Sequence, residues 1–170
     1  RDRLRSRGLG DVYKRQRLGM DEGENVLSMV ITSDYSGFML FFFASGKCAK
    51  IPLSSYATKQ NRRKLLKAYS DKEELAAMLH IEEETELAVF TSGGTGGPRL
   101  ILVGSALIPE KATRDTAGIN MVTLKKNARI AKVRPAAGLE LKDPHRYRVR
   151  TLPAAGALLR QEDTTEQMSL

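Results

Sequence analysis

The sequence is poor in the residues that build disulfides, metal centres and membrane spans. Its 170 residues include one cysteine, Cys48, two histidines, His80 and His145, and no tryptophan. One cysteine allows no internal disulfide, and no apolar run approaches the ~20 residues that cross a bilayer. We therefore expect a chain that works in a reducing, cytoplasmic setting without membrane contact.

The same scarcity argues against catalysis and metal binding. Cys48, His80 and His145 lack the close spacing of structural zinc ligands. A Cys–His nucleophile pair stays open on sequence alone, although a cysteine in an apolar segment is more often a small core residue. We expect neither a catalytic residue nor a metal or cofactor site in this chain.

The first residues are set aside as a non-native leader. Asp11 to Gln16 is what the string GATGTGTATAAGAGACAG encodes, and that string resembles the end of a transposon-type sequencing adapter. We therefore interpret residues 1–16 as translated adapter and exclude them from fold reasoning. The alternative is a natural basic arm.

Excluding the leader halves the net charge. The whole chain has 28 Lys+Arg and 20 Asp+Glu, a formal net charge of +8. Residues 17–170 carry 22 basic and 18 acidic side chains, a net charge of +4. With so small an excess, the case for a polyanionic partner depends on where the cations lie.

The central feature of the sequence is an apolar hairpin. Phe38 to Phe43 is apolar throughout and short, which predicts a strand buried on both faces. Phe41 and Phe43 should then face one side and Phe42 the other. Ala44-Ser45-Gly46 provides the turn into a second strand that Pro52 ends.

A strongly basic segment follows this hairpin. Between Lys59 and Lys67 there are five cations and no acid. A core cannot absorb that charge, so the segment faces water or a polyanion. A solvated face is the plainer interpretation of a charge run.

The hairpin and its basic segment resemble a known family. GFMLFFFASGKCAKIPLSSYATKQNRRK, residues 37–64, is similar to a blade of the C-terminal domain of the A subunit of bacterial type IIA topoisomerases, that is, DNA gyrase or topoisomerase IV. Such blades carry the pattern G-x-x-L-F-F-T-x-x-G-K-x-x-K-I-P and then a basic linker. The likeness extends over roughly residues 21–152 and is strongest between Tyr35 and Lys67.

This resemblance implies an all-β fold, a partial β-pinwheel of about two antiparallel blades with an extended C-terminal tail. It implies sequence-independent binding of duplex DNA by cations on an outer rim, which needs no base-reading side chains. The implied partners are duplex DNA, the rest of the A subunit and an ATPase B subunit in a heterotetramer, in a bacterial, nucleoid-associated enzyme. ATP and Mg belong to that holoenzyme and not to this chain. The rival hypothesis is a small β-domain protein-interaction module whose basic linker contacts an acidic partner.

Two comparisons with family motifs refine these expectations. Gyrase-type domains carry a wrapping motif of the form Q-R-R-G-G-K-G, whereas Gln60 to Lys64 shares only its charge. Presentation of DNA in the manner of topoisomerase IV is therefore preferred to wrapping. The dipeptide Arg146-Tyr147 resembles the arginine and tyrosine of the breakage site, but here it lies after the blades and lacks acidic metal ligands around it, so we expect no catalysis there.

Several segments outside the central hairpin carry strand signals. Val26 to Thr32 is one, and Glu86 to Thr91 with Arg99 to Val103 predicts a second hairpin. Leu75 to Ile81 is ambiguous, because Ser70 and Glu73 have capping-box spacing and Leu, Ala and Met favour helix. The resemblance makes it a strand, which we adopt. Ile119 to Leu124 and Ala128 to Val133, joined by a turn at Lys125-Lys126-Asn127, resemble the closing strands of a blade.

The loop between the two strands of the second hairpin is rich in glycine. Ser92 to Pro98 lacks the Gly-Lys-Ser/Thr ending of a P-loop and the context of a dinucleotide fingerprint, so a phosphate cradle is disfavoured. Its length, greater than in family blades, leaves the strand register open and is also compatible with a sequence error.

An internal repeat supports two blades. A shift of 52 residues lays Ser54 to Arg62 on Ala106 to Arg114, pairing Lys59 with Lys111 and Arg62 with Arg114. The preceding hairpins align only at a shift of about 59, with Thr32-Ser33 on Thr91-Ser92, as a deletion in the second blade would produce.

The sequence thus predicts three regions: a leader at 1–16, blades at 17–136 and an extended or disordered tail at 137–170. The tail is poor in large apolar residues, apart from the basic segment Pro144 to Pro153, which is a candidate to dock on the domain or on DNA. The predicted DNA-binding residues are the following cations: Lys47, Lys50, Lys59, Arg62, Arg63, Lys64, Lys67, Lys111, Arg114, Lys125, Lys126, Arg129 and Lys132.

Overall fold

The first hairpin forms as predicted. The computed structural model describes residues 13–59 and 64–163. Phe38–Phe43 (β1) pairs antiparallel with Lys47–Pro52 (β2), from Phe38 opposite Pro52 to Phe42 opposite Cys48. Gly46 has a φ of 96°, which a glycine adopts without strain, so the chain reverses within three residues.

Leu75–Ile81 (β3) is a strand, which confirms the expectation based on the resemblance over the one based on helix propensity. It pairs antiparallel with β1 on the edge opposite β2. The unpaired edge of β1 offers a ladder of hydrogen bonds, and the Leu, Ala and Met side chains pack against the sheet. Tertiary pairing therefore overrides a helix propensity worth only tenths of a kcal/mol per residue.

The remaining strands complete two four-stranded antiparallel sheets. They are Glu86–Gly93 (β4), Arg99–Gly104 (β5), Ile119–Asn120 (β6), Ala128–Pro135 (β7) and Ala157–Leu158 (β8). The first sheet has the order β3-β1-β2-β6 and the second the order β7-β4-β5-β8. The all-β prediction of about two blades is confirmed, with one correction. The segments predicted to close one blade together close two, because β6 pairs with β2 and β7 pairs with β4.

The two sheets repeat the same plan. Leu53 donates its backbone N–H to the carbonyl of Gly37, and Ser105 donates to Thr85 in the same way. Equivalent residues of the two sheets are therefore 48 residues apart in the sequence before the hairpin turn and 52 residues apart after it. A β-bulge lies between Phe42 and Phe43 in the first sheet and between Phe90 and Thr91 in the second, again 48 residues apart.

The predicted shift of about 59 before the turn is thus wrong, whereas the shift of 52 after it holds. The second hairpin carries a longer turn and no deletion. Its register is regular from Glu86 opposite Gly104 to Thr91 opposite Arg99.

The core lies mainly between the sheets. The central cluster contains Leu40 and Phe42 of β1 packed with Leu87 and Val89 of β4 and Ile101 of β5. Phe41 and Phe43 face the other side of the first sheet, as predicted, in a separate cluster with Met39 and Ile51. Burying each such side chain stabilises the fold by roughly 1.5–3 kcal/mol.

The described part of the tail, residues 137–163, packs on the second sheet. The face formed by Ala88, Phe90, Leu100 and Leu102 is covered by Tyr147, which is buried. The side chains of Ala136, Leu139, Leu141, Ala157 and Leu159 pack around this cluster. The tail also adds β8 to the edge of β5, so Tyr147 and the leucines of this segment supply the cover that the second sheet needs.

Val26 to Thr32, predicted as a strand, has no regular secondary structure and pairs with no other strand of the described chain. Only Val30 packs against the cluster of Phe41 and Phe43. The reason is physical: a single extended segment forms a strand only where a neighbouring edge offers hydrogen bonds.

Lys50 links the two sheets from a buried position. Its side chain lies over the ring of Phe38, with Nζ 4.4 Å from the ring centroid. Nζ donates a hydrogen bond to the backbone oxygen of Ser105 at 3.1 Å and forms an ion pair with Glu84. Ser105 Oγ donates to the same carboxylate. The end of β2 is thereby tied to both ends of the second hairpin.

Replacing Glu84 with glutamine should destabilise the protein by roughly 1–3 kcal/mol, because a buried ammonium then loses its counter-charge. Chemical denaturation at pH 7 measures this. Glu83→Gln is the matched control, because Glu83 is exposed and forms no ion pair in the described part of the chain. Equal stability of the two variants would contradict the role given to Lys50.

The effect of Glu84→Gln should depend on pH. Burial raises the pKa of Glu84, but hydrogen bonds from Lys50 and Ser105 outweigh it and hold the pKa below the ordinary 4.5. A depressed pKa stabilises the fold above the unfolded value, and that stabilisation is lost as pH falls through the folded pKa. The difference in unfolding free energy between Glu84→Gln and the parent should therefore be largest at pH 7 and decrease only below pH 4.5.

Deleting residues 1–16 should leave the thermal midpoint unchanged. Residues 1–12 lie outside the described chain, and residues 13–16 are helical and exposed. Within the described part of the chain, the side chains of residues 13–16 make only a local contact, in which Arg17 Nη1 donates to Tyr13 Oη at 3.3 Å. Calorimetry of the deleted and full chains tests this, and a marked drop in the midpoint would assign the leader to the fold.

Candidate nucleic-acid interface

Two of the predicted cations lie inside the fold. Lys50 is buried, as described above, and its charge is used by Glu84. Lys132 is half-buried on β7, and its Nζ atom is inaccessible and without a hydrogen-bond partner in the described residues. Neither residue presents its ammonium to a phosphate in this conformation, which sequence could not reveal because both lie on strands with mixed patterning.

Three more of the predicted cations, Lys47, Arg129 and Lys64, form close ion pairs at the surface. Lys47 Nζ lies 2.9 Å from Glu73 Oε1, and Arg129 Nη2 lies 2.8 Å from Glu74 Oε1. Hydrogen bonds from Ser45 and then Lys47 hold the pKa of Glu73 below its usual value. These acids lie just before β3 and reach the hairpin-turn end of the sheets, so they neutralise the cations there.

Lys64 is also paired, with acids from the start of the described chain. Its Nζ lies 2.7 Å from Asp21 Oδ2 and 3.1 Å from Glu24 Oε1. The hydrogen bond to Asp21, and then the one to Glu24, raises the pKa of Lys64. A phosphate would have to displace two carboxylates here.

The remaining described cations of the predicted set are exposed or half-exposed. Lys67 is 80% exposed and lies 4.0 Å from Asp115, too far for a strong bond. The others are Lys59, Lys111, Arg114, Lys125 and Lys126. Arg62 and Arg63 lie outside the described residues, so their role stays a prediction.

Two of these cations meet in an open groove. Lys59 and Arg114 line it together with the hydroxyl-bearing Ser55 and Thr58, and its volume is about 560 Å³. The other described residues of its lining are Ala57, Leu65 and Ala112, so none of the described lining residues is acidic.

The position of Arg114 is fixed by an aromatic contact. Its guanidinium carbon lies 6.0 Å from the centroid of the Tyr56 ring, within the range of a cation–π contact. Burial raises the pKa of Tyr56 to about 12, so the phenol stays neutral and donates its own proton to the carbonyl of Ala68. The backbone N–H of nearby Lys111 donates to the carbonyl of Lys50, which holds this segment along the edge of β2. The sequence repeat that pairs Lys59 with Lys111 therefore brings cations of both units to one side.

The glycine-rich loop is a packing feature. A side chain at Gly93 would meet the carbonyl oxygen of Asn127 at 2.7 Å, and one at Gly94 would meet that of Lys126 at 2.8 Å. Both glycines have φ near 75°. The loop is therefore closed against the turn before β7, which presents Lys125 and Lys126 to solvent.

Sequence reasoning left the three arginines of Pro144 to Pro153 out of the site. Arg148 pairs with Glu86 at 2.9 Å, whereas Arg146 and Arg150 are exposed. The backbone of Arg148 forms an isolated parallel β-bridge with Leu102 of β5. Glu110 forms an equivalent bridge with Lys50 of β2. The basic composition of Pro144 to Pro153 was the available signal.

The two candidate nucleophiles, Tyr147 and Cys48, are buried. Tyr147 donates its phenolic hydrogen to Asp163 Oδ2 at 2.6 Å, and burial first, then this hydrogen bond, raises its pKa. Burial raises the pKa of the Cys48 thiol far above its ordinary value, so the thiolate is not accessible. Within residues 13–59 and 64–163 no three His, Cys, Asp or Glu side chains cluster as metal ligands. In the same ranges no helix is long and apolar enough to cross a membrane.

Comparison with known proteins found solved structures with a similar fold. No protein-family model and no curated protein sequence matches the chain. The crystal structure of the C-terminal domain of DNA topoisomerase IV superposes with a TM-score of 0.69 at 15% identity, over 85% of this chain and 48% of that one. The DNA gyrase A C-terminal domain gives 0.56 at 14% identity, over 81% and 49%. The E. coli ParC C-terminal domain gives 0.60 at 13% identity, over 86% and 64%. The chain thus spans about half the length of two of these domains and shares their fold, the β-pinwheel.

Proposed function

We propose that the chain binds duplex DNA without sequence preference, as part of the C-terminal domain of a type IIA topoisomerase A subunit. The observation that carries this proposal is the acid-free groove that joins Lys59 and Arg114, cations of successive repeat units. Lys59 and Arg114, the latter in contact with the Tyr56 ring, suit phosphates, which need charge and spacing but no base-reading group. The shared fold with the C-terminal domains of topoisomerase IV and gyrase A supports it.

The groove residue Lys59 directly precedes the most basic part of the sequence. Arg62 and Arg63 follow it in the chain, before Lys64. Lys67 and Lys111 are exposed. Because most of the predicted cations lie in the segments that contribute Lys59 and Arg114, we assign the DNA path to this face in preference to the turn at Lys125 and Lys126.

The proposed partners follow from the family. Duplex DNA is presented to the rest of the A subunit and the ATPase B subunit, in a cytoplasmic, nucleoid-associated holoenzyme that uses ATP and Mg. We favour presentation of DNA, as proposed for topoisomerase IV-like domains, over gyrase-like wrapping, because Gln60 to Lys64 lacks the glycines of the wrapping motif. The catalytic tyrosine belongs to another part of such an enzyme.

The decisive experiment removes the two groove cations. Lys59→Gln with Arg114→Gln should weaken binding to unrelated duplexes by similar factors. Because each phosphate contact contributes a slope of about −0.9 in log affinity against log salt, the slope should become shallower by roughly two contacts' worth. Fluorescence anisotropy over a salt series measures both quantities.

A matched control removes two cations that do not line the groove. Lys72→Gln with Lys142→Gln makes the same change in net charge and should leave the salt slope unchanged. Arg62→Gln with Arg63→Gln should act like the groove variant. If the parent binds no duplex at low salt, or if the groove and control variants behave alike, the interaction-module hypothesis takes precedence.

A further inference from the structure

Residues 21–24, called the acidic turn below, cover one cation of the basic segment. Glu24 donates its backbone N–H to the carbonyl of Asp21 at 3.2 Å, and Asp21 donates its own to Glu24 Oε2 at 2.7 Å. The turn is thus closed by two hydrogen bonds, and both carboxylates reach Lys64 Nζ, at 2.7 Å and 3.1 Å. The backbone N–H of Asp21, and then Lys64, lower the pKa of Glu24, so this carboxylate is charged at neutral pH. Two carboxylates therefore lie where a phosphate would bind Lys64.

Lys64 lies next to the groove that we assign to DNA. It directly precedes Leu65, which is a lining residue of the groove. Just after Leu65, the carbonyl of Ala68 accepts a hydrogen bond from Tyr56 Oη at 2.7 Å, and the ring of Tyr69 is stacked on the first sheet. The segment that carries Lys64 is therefore held against the fold, and a polyanion that extends beyond the groove meets the acidic turn.

The acidic turn carries more charge than Lys64 can neutralise. Its third acid, Glu22, is exposed and forms no ion pair within the described residues. Three carboxylates against one ammonium leave a local net charge of −2, which repels phosphates. Exposed ion pairs are weak, so a strong polyanion can displace the turn. The arrangement is thus sufficient to compete with a polyanion but too weak to exclude one.

We propose that the acidic turn is an internal competitor of DNA: its carboxylates occupy Lys64 in the unbound protein, and the phosphates of a duplex displace them. This inference rests on the proposed function for the identity of the ligand, whereas the contact between the turn and Lys64 does not depend on DNA. Binding then exchanges one set of ion pairs for another. Lys64 therefore contributes less to affinity than Lys59 or Arg114, which line the groove without acidic neighbours among its described residues.

The first test removes the competing charges. Asp21→Asn with Glu24→Gln, the turn variant, should bind a mixed-sequence duplex about two- to fivefold more tightly than the parent, the range that an exposed ion pair allows. Its slope of log affinity against log salt should steepen by up to about 0.9, because displaced carboxylates no longer take up salt cations. Glu82→Gln with Glu83→Gln is the matched control, since both acids are exposed and form no ion pair within the described residues. This control makes the same change in net charge and should leave the slope unchanged.

The second test asks whether the effect passes through Lys64. In a chain that already carries Lys64→Gln, the turn variant should bind duplex no more tightly than its Lys64→Gln parent. A readout without DNA is the rate at which an N-hydroxysuccinimide ester acylates Lys64, followed by mass spectrometry. Exposed Lys72 is the internal reference. Relative to Lys72, Lys64 should react slowly in the parent and faster in the turn variant.

Three outcomes overturn the competition and leave DNA binding intact. They are an unchanged reactivity of Lys64 in the turn variant, a gain in affinity no larger than that of the control, and a gain that persists when Lys64 is glutamine. If neither the parent nor the turn variant binds duplex at low salt, the proposed function fails and the competition fails with it. Faster acylation of Lys64 in the turn variant would then still show that the contact exists, so the two failures are distinguishable.

Discussion

Both hairpins are apolar on both faces, and most of the structure follows from the need to cover four sheet faces. Two of these faces bury each other in the central cluster, where Phe42 meets Val89. The outer face of the first sheet is covered by Tyr56 and Tyr69, with the Tyr69 ring stacked on Phe41 at 5.6 Å. The outer face of the second sheet is covered by the tail through Tyr147. Connecting segments are therefore part of the core, although they look like loops.

This coverage also decides where charge can lie. A strand buried on both faces leaves cations only at its ends, on edges or on the covering segments, unless a counter-ion is buried with them. Lys50 is the buried strand cation of this kind, and its ammonium is paired with Glu84 and hydrogen-bonded to the carbonyl of Ser105. The other described cations of the predicted set, apart from Lys132, reach solvent, and two of them on connecting segments, Lys59 and Arg114, line the groove. Burying two hairpins completely therefore leaves these cations on the surface.

The elements with strong local signals were predictable. The run Phe38–Phe43, its turn and the second hairpin follow from composition and spacing, and the alternating sides of Phe41 and Phe42 follow from strand geometry. β6 lies within Ile119 to Leu124, which the resemblance marked as a strand, but its pairing with β2 was not predictable. β8 was not predictable either, because two residues carry no periodicity. The pairing of Lys50 with Glu84, 34 residues away, depends on stacking that no local pattern encodes. The site was predictable as a basic segment. The ion pairs of Lys64 with Asp21 and Glu24, and the groove that Lys59 shares with Arg114, were not predictable. The resemblance placed β3 correctly because it carries information about partners, which propensity lacks.

β6 belongs to the connection that follows the second hairpin, yet it pairs with β2 of the first sheet. Gly118 makes this possible, since any side chain there would collide with the backbone of Cys48. The first sheet is therefore completed by a strand from beyond the second hairpin. Cutting the sequence between the hairpins would not release a whole unit. One fragment would contain β2 without its partner β6, and the other would contain β6 without β2. Cooperativity is thus built into the connectivity, and the units should melt as one and not in succession.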